Sequence, residues 1–116
     1  MKQKICILGS TGSIGKSTLE IISKNRNDFE VVLLSGNSNF RLLISQAKNF
    51  KPKYIYSSNF YLTKKIKHFC TKNKIIIIND FNLLKKIKFD ITIAAISGIA
   101  GLLPTLNIIK FSCLRN

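Results

Sequence analysis

Acidic residues are scarce: five Asp and Glu stand against 19 Lys and Arg, for a formal charge of +14. That balance excludes an acidic solvating tail and permits an anionic ligand, a nucleic acid or a membrane surface as partner without establishing any of them. Isoleucine, lysine, asparagine and phenylalanine are abundant, so a compositionally biased genome would produce the same charge without selection for binding. Tryptophan is absent and histidine occurs once, at His68. The three cysteines, Cys6, Cys70 and Cys113, make no CxxC pair and no metal-ligand cluster with His68. Reduced thiols in a cytoplasmic protein are therefore expected. The longest apolar stretch, 91–103, carries Ser and Gly and is too short to span a bilayer. A strand-like run begins close to Met1 and a glycine-rich turn follows at once, so no targeting peptide is read.

With 116 residues, 46% of them hydrophobic and 21% charged, the chain suffices for one domain. Residues 4–8 are a short, nearly continuous apolar run, as in a strand buried on both faces. The stretch 9–15 reads as a turn, and from Lys16 a helix follows with Leu19, Ile22 and Ile21 inward, ending near Asn25. A second strand is read over 30–34, a helix over 40–50, and a third strand over 54–56 beyond the breaker Pro52. Leu62, Ile66, Phe69 and Cys70 recur at helical spacing. Strands at 75–78 and 91–95 bracket a short helix marked by Leu83, Leu84 and Ile87, and a last helix spans 102–111. Strand alternating with helix, the strands apolar, predicts a parallel α/β sheet. The expected fold is a single, Rossmann-like, doubly wound domain of three α/β/α layers over residues 1–110, with 111–116 as a tail.

The chemistry lies in Gly9-Ser-Thr-Gly-Ser-Ile-Gly15, between the first strand and the first helix. In this context Gly9 permits a tight turn, Gly12 lets a pyrophosphate approach the backbone, and Gly15 lets helix pack on strand. The helix N-terminus offers unpaired N–H groups to the anion, and Thr11 and Ser13 add hydroxyl donors. Gly15-Lys16-Ser17 resembles the end of a Walker A loop, but that motif needs glycine at position 10, which is Ser. A triphosphatase is thereby disfavoured, and Lys16 is expected to face solvent. The second strand closes on Ser35-Gly-Asn-Ser-Asn39, with no acid to accept from a ribose 2′-hydroxyl. Asn37, Ser38 and Asn39 can donate to a 2′-phosphate instead, with Arg41 close behind, so NADPH is expected over NADH.

These residues, with Ser17-Thr-Leu19 and the block Ala94-Ala-Ile-Ser-Gly-Ile-Ala-Gly-Leu-Leu-Pro-Thr-Leu106, resemble 1-deoxy-D-xylulose 5-phosphate reductoisomerases. The resemblance is to their N-terminal NADPH-binding domain and runs over about 4–109. It implies conversion of 1-deoxy-D-xylulose 5-phosphate to 2-C-methyl-D-erythritol 4-phosphate in the non-mevalonate route to isoprenoids, NADPH donating hydride. It also implies a Mg²⁺ or Mn²⁺ ion that chelates the phosphate substrate, and a homodimer. Thr11, Gly12, Ser13, Ile14, Asn37, Ser38 and Asn39 would bind the cofactor, and 95–98 would line its nicotinamide half. The family usually carries Lys or Arg where Ser38 stands, which implies a weaker grip on the 2′-phosphate. It also continues beyond the last helix into a strand ending Ala-Asn-Lys-Glu, then the metal-binding acids and a lid. None of these is found in the 116 residues, so no catalytic or metal residue is assigned and the chain alone is expected to be inactive. The end at 111–116 reads as frameshifted or prematurely stopped.

The glycine turn would also suit other NADP-dependent reductases with the same Gly-x-x-Gly-x-x-Gly spacing. His68 reads as a solvated surface residue, and Asp80 and Asp90 as a helix cap and a strand start. None of the five acids is expected at the carboxyl edge of the sheet. Lys64, Lys65, Lys67, Lys72, Lys74, Lys85, Lys86 and Lys88 make the middle basic and read as a solvated face. The alternative, a basic nucleic-acid-binding module, lacks a stacking platform, a helix-turn-helix pattern and zinc spacing.

Overall fold

The computed structural model describes residues 2–94. The expected strand end at Ala95, the lining segment 95–98, the helix at 102–111 and the boundary at 110 lie outside the described residues. The elements are β1 (Gln3–Leu8), α1 (Ser13–Ser23), β2 (Phe29–Ser35), α2 (Phe40–Phe50), β3 (Tyr54–Tyr56), α3 (Phe60–Lys72), β4 (Ile76–Ile78) and β5 (Ile91–Ala94). A 3₁₀ segment, Phe81–Lys86, joins β4 to β5 where a short helix was expected.

The described strands form one sheet in the order β4-β3-β2-β1-β5, every pairing parallel. The fold is the expected Rossmann-like α/β sheet. From β1 to β4 the chain steps always in one direction, and right-handed crossovers therefore place α1, α2 and α3 on a single face. The next step reverses, carrying the chain back past β1 to β5. Strand β1 lies where the order reverses, between β2 and β5, and its alternation divides the core. Ile5 and Ile7 join Leu19 and Ile22 of α1, Leu43 and Ala47 of α2, and Leu62 and Ile66 of α3. Cys6 and Leu8 point the other way, toward Leu84 and Phe89. Among the described residues the second face thus carries only the 3₁₀ segment and its flanks. The second helical layer expected from the sequence is not found among the described residues.

Three local features depart from a plain reading of the pattern. Helix α1 begins at Ser13 and not at Lys16, so Gly15 lies within its first turn. Ile21 is exposed rather than inward, because Leu19 and Ile22 already occupy the stripe facing the sheet. In β2 the register against β1 slips: Ile5 opposes Val31 and Cys6 opposes Leu33, leaving Val32 as an extra residue. Val32 and Leu33 then both serve the second core cluster, while Val31 and Leu34 serve the first.

Candidate functional site

In an open α/β sheet, ligands bind beyond the carboxyl ends of the strands where the strand order reverses. Here that point is the carboxyl end of β1, between β2 and β5, and the glycine turn emerges there. Gly9 adopts φ 85°, a left-handed conformation that a side chain would disfavour. The Gly12 N–H then donates to the Gly9 carbonyl at 3.2 Å and closes the turn. A Cβ on Gly15 would stand 2.4 Å from the Gly9 carbonyl oxygen and 2.5 Å from the Ser10 Cα. Both are backbone atoms, so only glycine lets α1 start this close to the strand end. Gly12 is different in kind, since its φ of −80° and ψ of 176° suit any residue.

The start of α1 has what an anion needs. Gly12 occupies its N-cap without a side-chain cap, and the first turn carries no acid. By contrast Asn39 caps α2, Asn59 caps α3 and Asp80 caps the 3₁₀ segment, each with a side-chain oxygen. First-turn N–H groups of α1 are therefore left for a ligand, with a positive helix end behind them. Such an end is worth about 0.3–1 kcal/mol to an exposed anion and up to ~2 when partly buried. Ser13 is exposed here, and Ile14 is 63% exposed, an apolar side chain left at the mouth of the turn. Lys16 is also exposed, and only its backbone N–H reaches back, to the Gly12 carbonyl at 2.9 Å. This agrees with the rejection of a Walker A lysine.

Three buried polar residues hold the turn in place; the sequence pattern gives Ser10 and Ser35 no such role and does not single out Gln46. The Ser10 N–H donates to the Ser35 carbonyl at 2.7 Å, and the Gly9 N–H donates to the Ser35 hydroxyl at 2.9 Å. The Ser10 hydroxyl donates to Gln46 Oε1 at 2.8 Å, and Gln46 Nε2 donates to the Ser10 carbonyl at 2.8 Å. Ser10, Ser35 and Gln46 are all buried, so this network works in a low dielectric where each bond is strong and each loss expensive. One sequence signal was present: Gln46 lies with Leu43 and Ala47 on the inward stripe of α2, where a polar residue needs a partner.

The loop after β2 carries the other expected ligands, Asn37, Ser38 and Asn39, all exposed. Thr11 connects it to the glycine turn, because a Cβ on Gly36 would meet Thr11 Cγ2 at 3.3 Å. Asn39 is partly committed: its Oδ1 accepts the Leu42 N–H at 3.2 Å, leaving Nδ2 as the group that can reach a ligand. Asn37 is held from α3, whose capping residue Asn59 donates Nδ2 to the Asn37 carbonyl at 3.2 Å. Asn59 itself is fixed by accepting the Tyr61 N–H at 2.8 Å. The structure thus brings Thr11 to Ile14 and Asn37 to Asn39 onto one edge, beside each other.

The acids are distributed differently from the expectation in one respect. Asp80 follows the carboxyl end of β4 and so does stand on that edge, three strands from β1 and engaged in capping Asn82. Asp90 lies at the amino edge, where Oδ2 accepts the Lys4 N–H at 2.7 Å. Glu20 is on the exposed side of α1, 4.0 Å from Lys24. Among the described residues no three His, Cys, Asp or Glu side chains converge to hold a metal ion. The described part of the chain therefore does not fit a Mg²⁺ or Mn²⁺ ion. His68 and the lysines of α3 and the 3₁₀ segment are exposed, and among the described residues no helix is long and apolar enough to cross a membrane.

Comparison with known proteins gives a consistent result. The sequence model of 1-deoxy-D-xylulose 5-phosphate reductoisomerase matches residues 5–112. The reductoisomerase of Pelagibacter ubique strain HTCC1062 is 43% identical over 119 residues, covering 95% of this chain and 30% of that protein. That of Wolbachia pipientis wMel is 38% identical over 108 residues, covering 93% of this chain and 28% of its own length. The Zymomonas mobilis enzyme, solved in complex with NADPH, superposes with a TM-score of 0.81 at 31% identity, over 96% of this chain and 30% of that one. A reductoisomerase solved with NADPH, fosmidomycin and magnesium gives a TM-score of 0.71 at 36% identity, over 86% and 26%. The chain spans about 30% of the length of the Pelagibacter relative.

Proposed function

Because the chain belongs to the 1-deoxy-D-xylulose 5-phosphate reductoisomerase family, we propose that it forms the NADPH-binding region of such an enzyme. The observation that carries this reading is the glycine turn at the strand-order reversal, leading into a helix whose N-terminus has no side-chain cap. Backbone N–H groups of Gly12, Ser13 and Ile14 receive the pyrophosphate, with the hydroxyls of Thr11 and Ser13 as further donors. Exposed Ile14 gives the adjoining apolar surface. Asn37, Ser38 and Asn39 face the ribose 2′-phosphate, where the absence of an acid after β2 removes the usual partner of a free 2′-hydroxyl. Bound NADPH supplies the hydride.

In the whole enzyme the substrate is a small phosphate, 1-deoxy-D-xylulose 5-phosphate, reduced and rearranged to 2-C-methyl-D-erythritol 4-phosphate for isoprenoid synthesis. A divalent metal, a dimeric assembly and a cytoplasmic location belong to the same proposal. The free, buried thiols of Cys6 and Cys70 support a reducing compartment. The contribution expected from these residues is cofactor binding rather than turnover.

Calorimetric titration of the 116-residue chain with NADPH and with NADH tests the reading. NADPH should bind more tightly; equal affinity for the two, or none for either, would overturn it.

A further inference from the structure

Asn37, Ser38 and Asn39 are all uncharged, yet a ribose 2′-phosphate carries close to two negative charges at neutral pH. Neutral amides and hydroxyls can orient such a group, but charge-assisted hydrogen bonds hold it much more strongly. Cations are present beside this loop, brought there by the tertiary structure. Phe40, the residue after Asn39, opens α2 and has two of them near its ring. The Arg41 guanidinium carbon lies 5.8 Å from its ring centroid, and the Lys65 ammonium lies 5.6 Å from the same centroid. Lys65 also lies 5.3 Å from the ring centroid of Tyr61, which meets Phe40 edge-on at 6.5 Å.

Resting on the NADPH reading above, we propose that Lys65 and Arg41, both held beside Phe40, select the phosphorylated cofactor by pairing with the 2′-phosphate. Three observations converge on this. The Asn59–Asn37 hydrogen bond fastens the start of α3 to the loop after β2, so Lys65 is presented to that loop although it is remote in sequence. Neither Arg41 nor Lys65 has an ion-pair partner among the described residues, and the first turns of α2 and α3 contain no acid. The aromatic contacts, finally, hold the cations near the site at a strength of only about 0.5–1 kcal/mol at an exposed position. They leave the N–H donors of Arg41 for a stronger partner. A phosphate dianion meets both cations at once, and NADH gives them nothing to bind.

The test is a set of paired NADPH and NADH titrations on the full chain. Lys65→Ala or Arg41→Ala should each weaken NADPH roughly fivefold and the pair together about twentyfold, with NADH changed less than about twofold. Lys65→Arg should keep the preference, and Lys67→Ala, on the same helix, should change neither affinity. Circular dichroism verifies that each variant is folded, as expected for exposed positions. If the double variant prefers NADPH as strongly as the parent, or loses both cofactors equally, the selectivity assignment is overturned while the cofactor site stands. If the parent chain binds neither cofactor, the NADPH reading itself fails and this assignment falls with it.

Discussion

Gln46 and Ser10 exchange two hydrogen bonds across 36 residues of sequence, side-chain amide to backbone carbonyl and hydroxyl to side-chain carbonyl, each at 2.8 Å. This pair ties the glycine turn to α2, and with Ser35 it joins the ends of the two strands that frame the candidate site. Removing one partner strands buried polar groups on the other. Gln46→Ala should therefore cost about 1–3 kcal/mol of stability and weaken NADPH binding as the turn loosens. Urea unfolding of Gln46→Ala, Ser10→Ala and the double variant gives the coupling directly. Additive losses would mean that the two residues do not act together.

Gly12 and Gly15 should respond differently to substitution. Gly15→Ala drives a methyl group into the Gly9–Ser10 backbone, so the turn must open. The expected loss is at least about 3 kcal/mol, at the upper end of single substitutions. Gly12→Val leaves an allowed backbone in place and should fold, but its side chain takes the space of the pyrophosphate. Thermal melts and NADPH titration separate the two. A folded Gly12→Val chain with parental affinity would refute the anion-site geometry.

Asn59 has two jobs, capping α3 with Oδ1 and restraining Asn37 with Nδ2. Asn59→Ser keeps a capping oxygen and loses the reach to Asn37. Stability should stay within about 0.5 kcal/mol of the parent, whereas Asn59→Ala should lose about 1 kcal/mol. Both variants should bind NADPH more weakly than the parent, since each frees the loop after β2. If only the alanine variant binds more weakly, the Asn37 restraint has no part in binding.

Cys70 makes stability sensitive to alkali. Burial among Leu62, Ile66 and Ile75 pushes its thiol from 9.0 up to about 11. Below pH 9 folded and unfolded chains both keep the proton. As pH rises from about 9 towards 11 the unfolded chain releases it and the folded chain does not, so stability falls, by on the order of 2–3 kcal/mol. Burial pushes the Cys6 thiol up further still, against a smaller opposing hydrogen bond with Thr92, and its effect has the same sign. Melting temperature against pH should therefore decline above pH 9 and decline less steeply in Cys70→Ala. Parallel curves for the two proteins would contradict this.

Local pattern carried much of the architecture. Helix α2 and strand β3 were bounded correctly because Phe40–Phe50 ends before Pro52 and Tyr54–Tyr56 is a short β-branched and aromatic run. The glycine spacing marked the tight turn, since φ at Gly9 and the close approach at Gly15 are demands that only glycine meets. The pattern alone puts the start of α1 three residues late, because Ser13 and Ile14 look like turn residues, whereas Gly12 serves as the cap. The short helix before β5 tightened into a 3₁₀ segment, in which Leu84 is buried and Leu83 is left 39% exposed.

What the sequence by itself determined was the alternation of strand and helix, the turn that opens α1 and the lack of an acid after β2. These depend on hydrophobic period, on glycine conformation and on residue identity within a few positions. Tertiary structure alone decided the strand order β4-β3-β2-β1-β5, the slipped residue Val32, and the partners of Ser10 and Asn37. Parallel strands are not joined by local hydrogen bonds, so their order follows from which helix faces can be buried together. Gln46, Asn59 and Lys65 reach the site from other elements, and no spacing within the glycine turn or the loop after β2 encodes their arrival.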